Sequence, residues 1–170
     1  MGWQEDKQKS DVYIPEIKAI LGVHLIGPAP EEEDQQRNTD LIVLKMEAVR
    51  IACRIRTPEY YVKYPNDFTI RYTRPNGADT EFKKVMSGWG DYLFYGFGDD
   101  DERCLQAWRL GDLKVFRWWL NRELYAGRRP YRRLRNRDGS SDFLAFTWTD
   151  LPDTFVVADA KSHRQPMRKA

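Results

Sequence analysis

The chain has 170 residues, of which 41% are hydrophobic, 14% aromatic and 32% charged, with a net charge of +2. That length fits one domain, since a chain of this size buries about 68–70% of its unfolded surface. The composition is that of a globular protein, no apolar run reaches the length of a membrane-spanning helix, and the opening residues Met-Gly-Trp-Gln-Glu-Asp-Lys carry no apolar signal region, so a cytosolic protein is expected.

Residues 1–10 are polar. Residues 12–21 predict a helix, with Pro15 in its first turn, Ile14, Ile17 and Leu21 on one face and Gly22 as its stop. A short strand at 23–26 and an acidic loop containing Glu31-Glu-Glu-Asp34 lead to Asp40. Residues 41–46 are an apolar run and predict a strand covered on both faces. Glu47-Ala48 reads as a turn and residues 49–56 as the returning hairpin partner. Residues 57–66 form an aromatic loop with Tyr60, Tyr61 and Tyr64, and residues 67–73 form a third strand.

A short helix at 80–86 takes Thr80 or Asp79 as its cap and Gly88 as its end. Strands follow at 91–97 and 104–109. Residues 112–124 predict the clearest helix, with Asp112 at its N-cap and Leu113, Phe116, Leu120 and Leu124 as its buried stripe; Trp118 falls on the polar side with Lys114 and Asn121. An Arg-rich segment fills 126–137, a last strand 143–148, and a basic flexible tail 159–170. This order predicts an α/β (α+β) chain: one domain over 1–158, with a central mixed β-sheet flanked by helices.

Charge patterning supplies the functional clues. Asp40 opens one strand, Arg54 and Arg56 share a face of the next because strand side chains alternate, and Arg71 sits in the third. Charges at the rim of an apolar sheet cost free energy unless they are paired or used. Guanidiniums bind phosphate bidentately, so these residues suit an anion pocket in which Asp40 orients one of them. The competing structural role is a salt-bridge network along the sheet rim, worth about 0–1 kcal/mol per exposed pair.

The second constellation is Arg122, Arg128, Arg129, Arg132, Arg133, Arg135 and Arg137, interleaved with Tyr125 and Tyr131. Arginines with aromatics suit phosphate contact and base stacking. Six such contacts on B-DNA would give a log–log salt slope of about −5. A solvated loop, or a partner for the acidic segment 31–34, is the alternative. Trp118 is the best candidate for a protein interface, because its helix does not need it for the core.

Other features carry less. Cys53 and Cys104 lie in apolar contexts without metal spacing and read as buried free thiols of a reducing compartment. His24 and His163 are isolated. Gly88-Trp-Gly-Asp91 and Tyr95-Gly-Phe-Gly98 lack phosphate-loop spacing, and Asp99-Asp-Asp-Glu102 lacks that of a calcium loop.

A helix, a three-stranded meander, a helix and a further strand together resemble the core of the PD-(D/E)XK nuclease superfamily, a restriction-endonuclease-like core. Asp40 takes the place of its first acidic residue, Arg54-Ile55-Arg56 that of its (D/E)xK motif, and Glu16 that of an extra acidic residue on the first helix. The stretches Glu33-Asp34, Asp40-Leu-Ile-Val-Leu, Arg50-Ile-Ala-Cys-Arg-Ile-Arg, Asp67-Phe-Thr-Ile-Arg, Gly88-Trp-Gly-Asp91 and Tyr95-Gly96 also look like those of a group of phage and prophage proteins. The resemblance spans residues 12–125. It implies catalytic positions at Asp40, Arg54 and Arg56, with Mg²⁺ held by Asp40, Glu16 and Glu33 if the site is active.

The (D/E)xK motif is degenerate here. A guanidinium cannot ligate a metal, so Arg54 in place of the second carboxylate breaks the usual centre. Glu33 or Asp34, Glu47, or Asp67 are the groups that would have to restore it. The expected function is therefore a phage-type, nuclease-like domain that binds nucleic acid, DNA rather than RNA, without efficient cleavage and without a cofactor. Arg71, Arg128, Arg129, Arg132, Arg133, Arg135 and Tyr131 would supply the contacts. The alternatives are a divergent Mg²⁺-dependent nuclease, and a protein–protein module that acts on a host system through Trp118. A homodimer is compatible with each.

Overall fold

The computed structural model describes residues 11–28, 41–43, 49–74, 77, 79–101, 103–136 and 138–161. The chain divides into two compact units, Met1–Ala48 and Val49–Ala170. In the first, helix α1 (Ile14–Leu25) leads into strand β1 (Ile26–Pro28), which pairs antiparallel with β2 (Leu41–Val43). Tyr13, Ile17 and Leu21 recur every four residues and are buried. The helix runs through Gly22 instead of stopping there, because Gly22 lacks the left-handed φ that a terminating glycine adopts.

The second unit contains β3 (Ile51–Arg56), α2 (Pro58–Lys63), β4 (Asp67–Arg71), α3 (Glu81–Met86), β5 (Tyr92–Gly98), β6 (Leu105–Asp112), α4 (Leu113–Tyr125), β7 (Arg132–Arg135), β8 (Asp142–Thr147) and β9 (Val156–Lys161). Its strands form two sheets. A mixed four-stranded sheet has the order β3-β5-β6-β9, and an antiparallel three-stranded sheet the order β4-β8-β7. The architecture is thus mixed α+β with helices flanking the sheets.

Among the described residues the expected hairpin between 41–46 and 49–56 does not form. β2 pairs with β1, whereas β3 runs parallel to β5, with Arg54 opposite Tyr95 and Arg56 opposite Phe97. β4 belongs to the other sheet. The predicted meander is therefore three strands in three different sheets. As a sequence, Glu47-Ala48 contains none of the Gly, Asn or Asp that two-residue hairpin turns favour. A parallel pair needs a crossover of about a dozen residues or more, and the segment α2–β4–α3 supplies it.

Register places the core. β4 and β8 pair Phe68 with Phe146 and Ile70 with Leu144, so all four point to one side. Phe68 stacks on Phe146 at 5.3 Å, and Phe116 from α4 meets Phe146 edge-on at 5.0 Å. Leu113, Phe116, Trp119 and Leu120 of α4 are buried with them, together with Leu93, Tyr95 and Phe97 of β5. Leu124, expected in this stripe, is exposed; Glu123 takes the inward position. Phe155, fully buried, lies so close to Gly111 that a Cβ there would sit 2.5 Å from its ring.

Three further expectations change. The aromatic loop 57–66 contains α2, which opens on Pro58. The segment assigned to a tail begins as strand: Asp159 pairs with Arg109 and Lys161 with Ala107, while 162–170 lie outside the described residues. Cys53 is exposed on edge strand β3, and Cys104 is half-buried. Among the described residues no helix is long and apolar enough to cross a membrane.

Candidate nucleic-acid interface

Arg54 and Arg56 do project from one face of β3, toward β4 and β5. Arg54 donates through Nη1 to the Thr69 carbonyl oxygen at 2.7 Å, and its Nη2 lies 3.2 Å from Glu81 Oε2. Arg56 donates through Nε to the Tyr95 hydroxyl at 3.0 Å and through Nη2 to Thr69 Oγ1, with its guanidinium 5.1 Å above the Tyr60 ring. The Arg71 backbone N–H donates to Glu81 Oε2 at 3.1 Å. Among the described residues Glu81 thus pairs with the Arg54 guanidinium and accepts from the Arg71 backbone, while Arg56 is held beside them by Thr69 and Tyr95. Burial pulls the Arg54 pKa below its usual value; Glu81 opposes that shift, and the neighbouring Arg56 and Arg71 add to it.

A second basic surface is built on β7. Arg132 and Arg133 open this edge strand, beside Pro130 and Tyr131. Arg133 holds Asp142 Oδ2 through Nε at 3.0 Å and Nη2 at 2.5 Å, a hydrogen bond that raises its own pKa. Arg132 pairs with Asp67, whose other oxygen accepts from Thr147 Oγ1 at 3.1 Å. Arg135 is 4.0 Å from Asp142. Arg128 grips Glu123 at 2.5 and 3.0 Å, and Arg122 adds a contact at 3.3 Å. The Arg128 hydrogen bonds hold the Glu123 carboxyl below the usual carboxylate range. Arg129 is exposed and has no ion pair among the described residues.

Between these elements lies an open concavity of about 360 Å³ lined by Tyr72, Arg129, Tyr131, Arg133 and Leu144. The Arg133 guanidinium stacks 5.0 Å above the Tyr72 ring. Each tyrosine has an edge-on ring contact: Phe82 is 5.4 Å from Tyr72, and Phe146 is 5.8 Å from Tyr131.

The structure thus brings Arg54, Arg56 and Arg71 into one cluster and Arg129, Tyr131 and Arg133 into another. Asp40 and Glu33, with Asp34, Glu47 and Arg137, lie outside the described residues, while Glu16 sits on α1 in the first unit. Asp67 is engaged by Arg132 and Thr147. Among the described residues no three His, Cys, Asp or Glu side chains come together as metal ligands. Trp118 is 59% exposed, as its polar neighbours predict, with Arg122 stacked at 4.8 Å. Sequence reasoning missed Thr69, Glu81 and Tyr95, because Tyr95 reaches the arginines through the parallel β3–β5 pairing and Thr69 and Glu81 through the approach of β4 and α3 to β3, none of which leaves a local signal. It also missed Tyr72, whose place opposite β7 depends on the β4-β8-β7 order. Comparison with protein-family models, with curated proteins and with solved structures finds no match for this chain.

Proposed function

We propose that this chain is a nucleic-acid-binding domain that holds the phosphate backbone on the arginine surface of β7 and does not cleave it efficiently. The observation that carries the proposal is the groove itself: two tyrosines and two arginines on an open edge, with Arg129 unneutralised among the described residues. Arginine with aromatics is the chemistry of strand backbone contact and base stacking. The nuclease-like, phage-type and DNA-preferring parts of the proposal rest on the sequence resemblance, with Asp40 and Arg54-Ile55-Arg56 at the motif positions.

The ion pairs set the expected strength. Six arginines from Arg122 to Arg135 face three carboxylates, Glu123, Asp67 and Asp142. With about three net charges available, binding to a single strand should show a log–log salt slope on the order of −2, not the roughly −4 that six free contacts would give. Fluorescence anisotropy of a labelled oligonucleotide across a salt series measures it. Loss of affinity in Arg129→Ala is expected; no binding at low salt overturns the proposal. Metal-dependent cleavage of the same oligonucleotide that Asp40→Asn abolishes would overturn its non-cleaving part and establish the Mg²⁺-dependent nuclease.

A protein-interaction role has one specific observation in its favour, the exposed Trp118 under Arg122. Salt-insensitive self-association or partner binding that Trp118→Ala removes would support it.

A further inference from the structure

The groove between β4 and β7 has features that simple phosphate attraction does not require. Its tyrosine rings are each held by an edge-on contact, Tyr72 with Phe82 and Tyr131 with Phe146, so they stand in place before any ligand arrives. Preorganised rings stack at low entropic cost. Leu144, 1% exposed, contributes an apolar lining residue. Arg133 is already neutralised by Asp142, so it offers a flat guanidinium over Tyr72 more than a free charge. Arg129 is the lining residue whose charge is uncompensated among the described residues. The volume, about 360 Å³, is at the low end of the roughly 300–1,000 Å³ typical of small-molecule sites. That is room for about one nucleotide.

We infer that this groove takes one unpaired base of a single strand, packed against the Arg133–Tyr72 stack and Tyr131, with Arg129 on the adjoining phosphate. The inference rests on the nucleic-acid proposal above and deepens it, by naming single-stranded over double-stranded nucleic acid. Bases inside a duplex keep their faces covered by their neighbours, whereas unpaired bases are free to stack on aromatic side chains.

The test compares three labelled probes on the full chain: a short single-stranded oligonucleotide, its duplex, and an abasic strand with the same number of phosphates. The single strand should bind more tightly than either. Tyr72→Ala should weaken single-strand binding about 5- to 150-fold, the range that base–aromatic stacking supplies. Tyr72→Phe should retain it, and the abasic strand should respond to neither. Arg129→Ala should weaken the single and the abasic strand alike. Equal binding of the abasic and the full strand overturns the base site and leaves the phosphate surface standing. Absence of binding by all three overturns both. The probe comparison uses the unaltered protein, so it decides the matter even if a tyrosine variant fails to fold.

Discussion

Arg54 directs its donors inward. The Thr69 carbonyl and the Arg71 N–H, two residues apart, point to the same free edge of β4. Arg54 caps the first and Glu81 the second, and the two side chains pair with each other. The ion pair therefore stands where a neighbouring strand would be, and it ties β3 of one sheet to β4 of the other. The substitution Arg54→Met should leave Glu81 and the Thr69 carbonyl short of a partner and cost about 2–4 kcal/mol in denaturant unfolding. Adding Glu81→Gln should recover part of that loss, with a coupling of about 0.5–3 kcal/mol in the double-mutant cycle. An Arg54→Met variant of unchanged stability that has lost oligonucleotide binding would make Arg54 a ligand contact instead. The alternation of charged and apolar residues along 50–56 made the shared face of Arg54 and Arg56 legible. What they face was not legible, because Tyr95 reaches them through strand pairing and Thr69 through the approach of the other sheet, both between segments distant in sequence.

Helix α4 and strand β7 differ in how much their own residues reveal. Asp112 accepts from the N–H groups of Lys114 and Val115 at 2.7 and 3.2 Å, so the helix start follows from a local cap that the sequence displays. Arg132-Arg133-Leu134-Arg135 has no apolar alternation, and it becomes a strand through β8, Asp67 and Asp142, all supplied from elsewhere in the chain. In the last turn of α4, Glu123 turns inward and receives Arg128 and Arg122, and Leu124 falls outside the stripe that simple periodicity assigned to it. Its depressed carboxyl pKa makes the joint sensitive to acid. A folded value below the unfolded one, about 4.3 for Glu, means stability that is fully present above that pH and lost as pH falls through the folded value. The thermal midpoint of the native chain should therefore exceed that of Glu123→Gln most at neutral pH, and the gap should close as pH drops below about 4.3. A constant gap from pH 7 to pH 3 would show that the Arg128 pair is not what holds the turn.

Across the whole second unit, two sheets and α4 share one aromatic core, and strand order decides which residues enter it. The apolar residues were identifiable one segment at a time; the pairing of β3 with β5 and of β4 with β8 was not, since each joins segments distant in sequence and a strand carries no mark of its partner. Gly111 shows how closely the parts fit. It lies on β6, where the register with β9 shifts, and its missing side chain is the space that the Phe155 ring occupies. Phe155 in turn lies 5.6 Å from Phe68 of the other sheet and 6.1 Å from Phe116 of α4. A methyl group at 111 cannot be absorbed by a flexible side-chain end, because the ring is fully buried. Gly111→Ala should cost about 1–3 kcal/mol by overpacking, which lowers the midpoint by about 2–12 °C for a chain of this size. Because the ring touches both sheets and the helix, the loss should appear in the whole unit at once, with near-ultraviolet signals from Trp119 and Trp148 and far-ultraviolet signals shifting together. If the aromatic signal melted first while the backbone signal stayed, the strands and helix would outlast the packing around Phe155, and the shared core would not be what makes the unit melt as one.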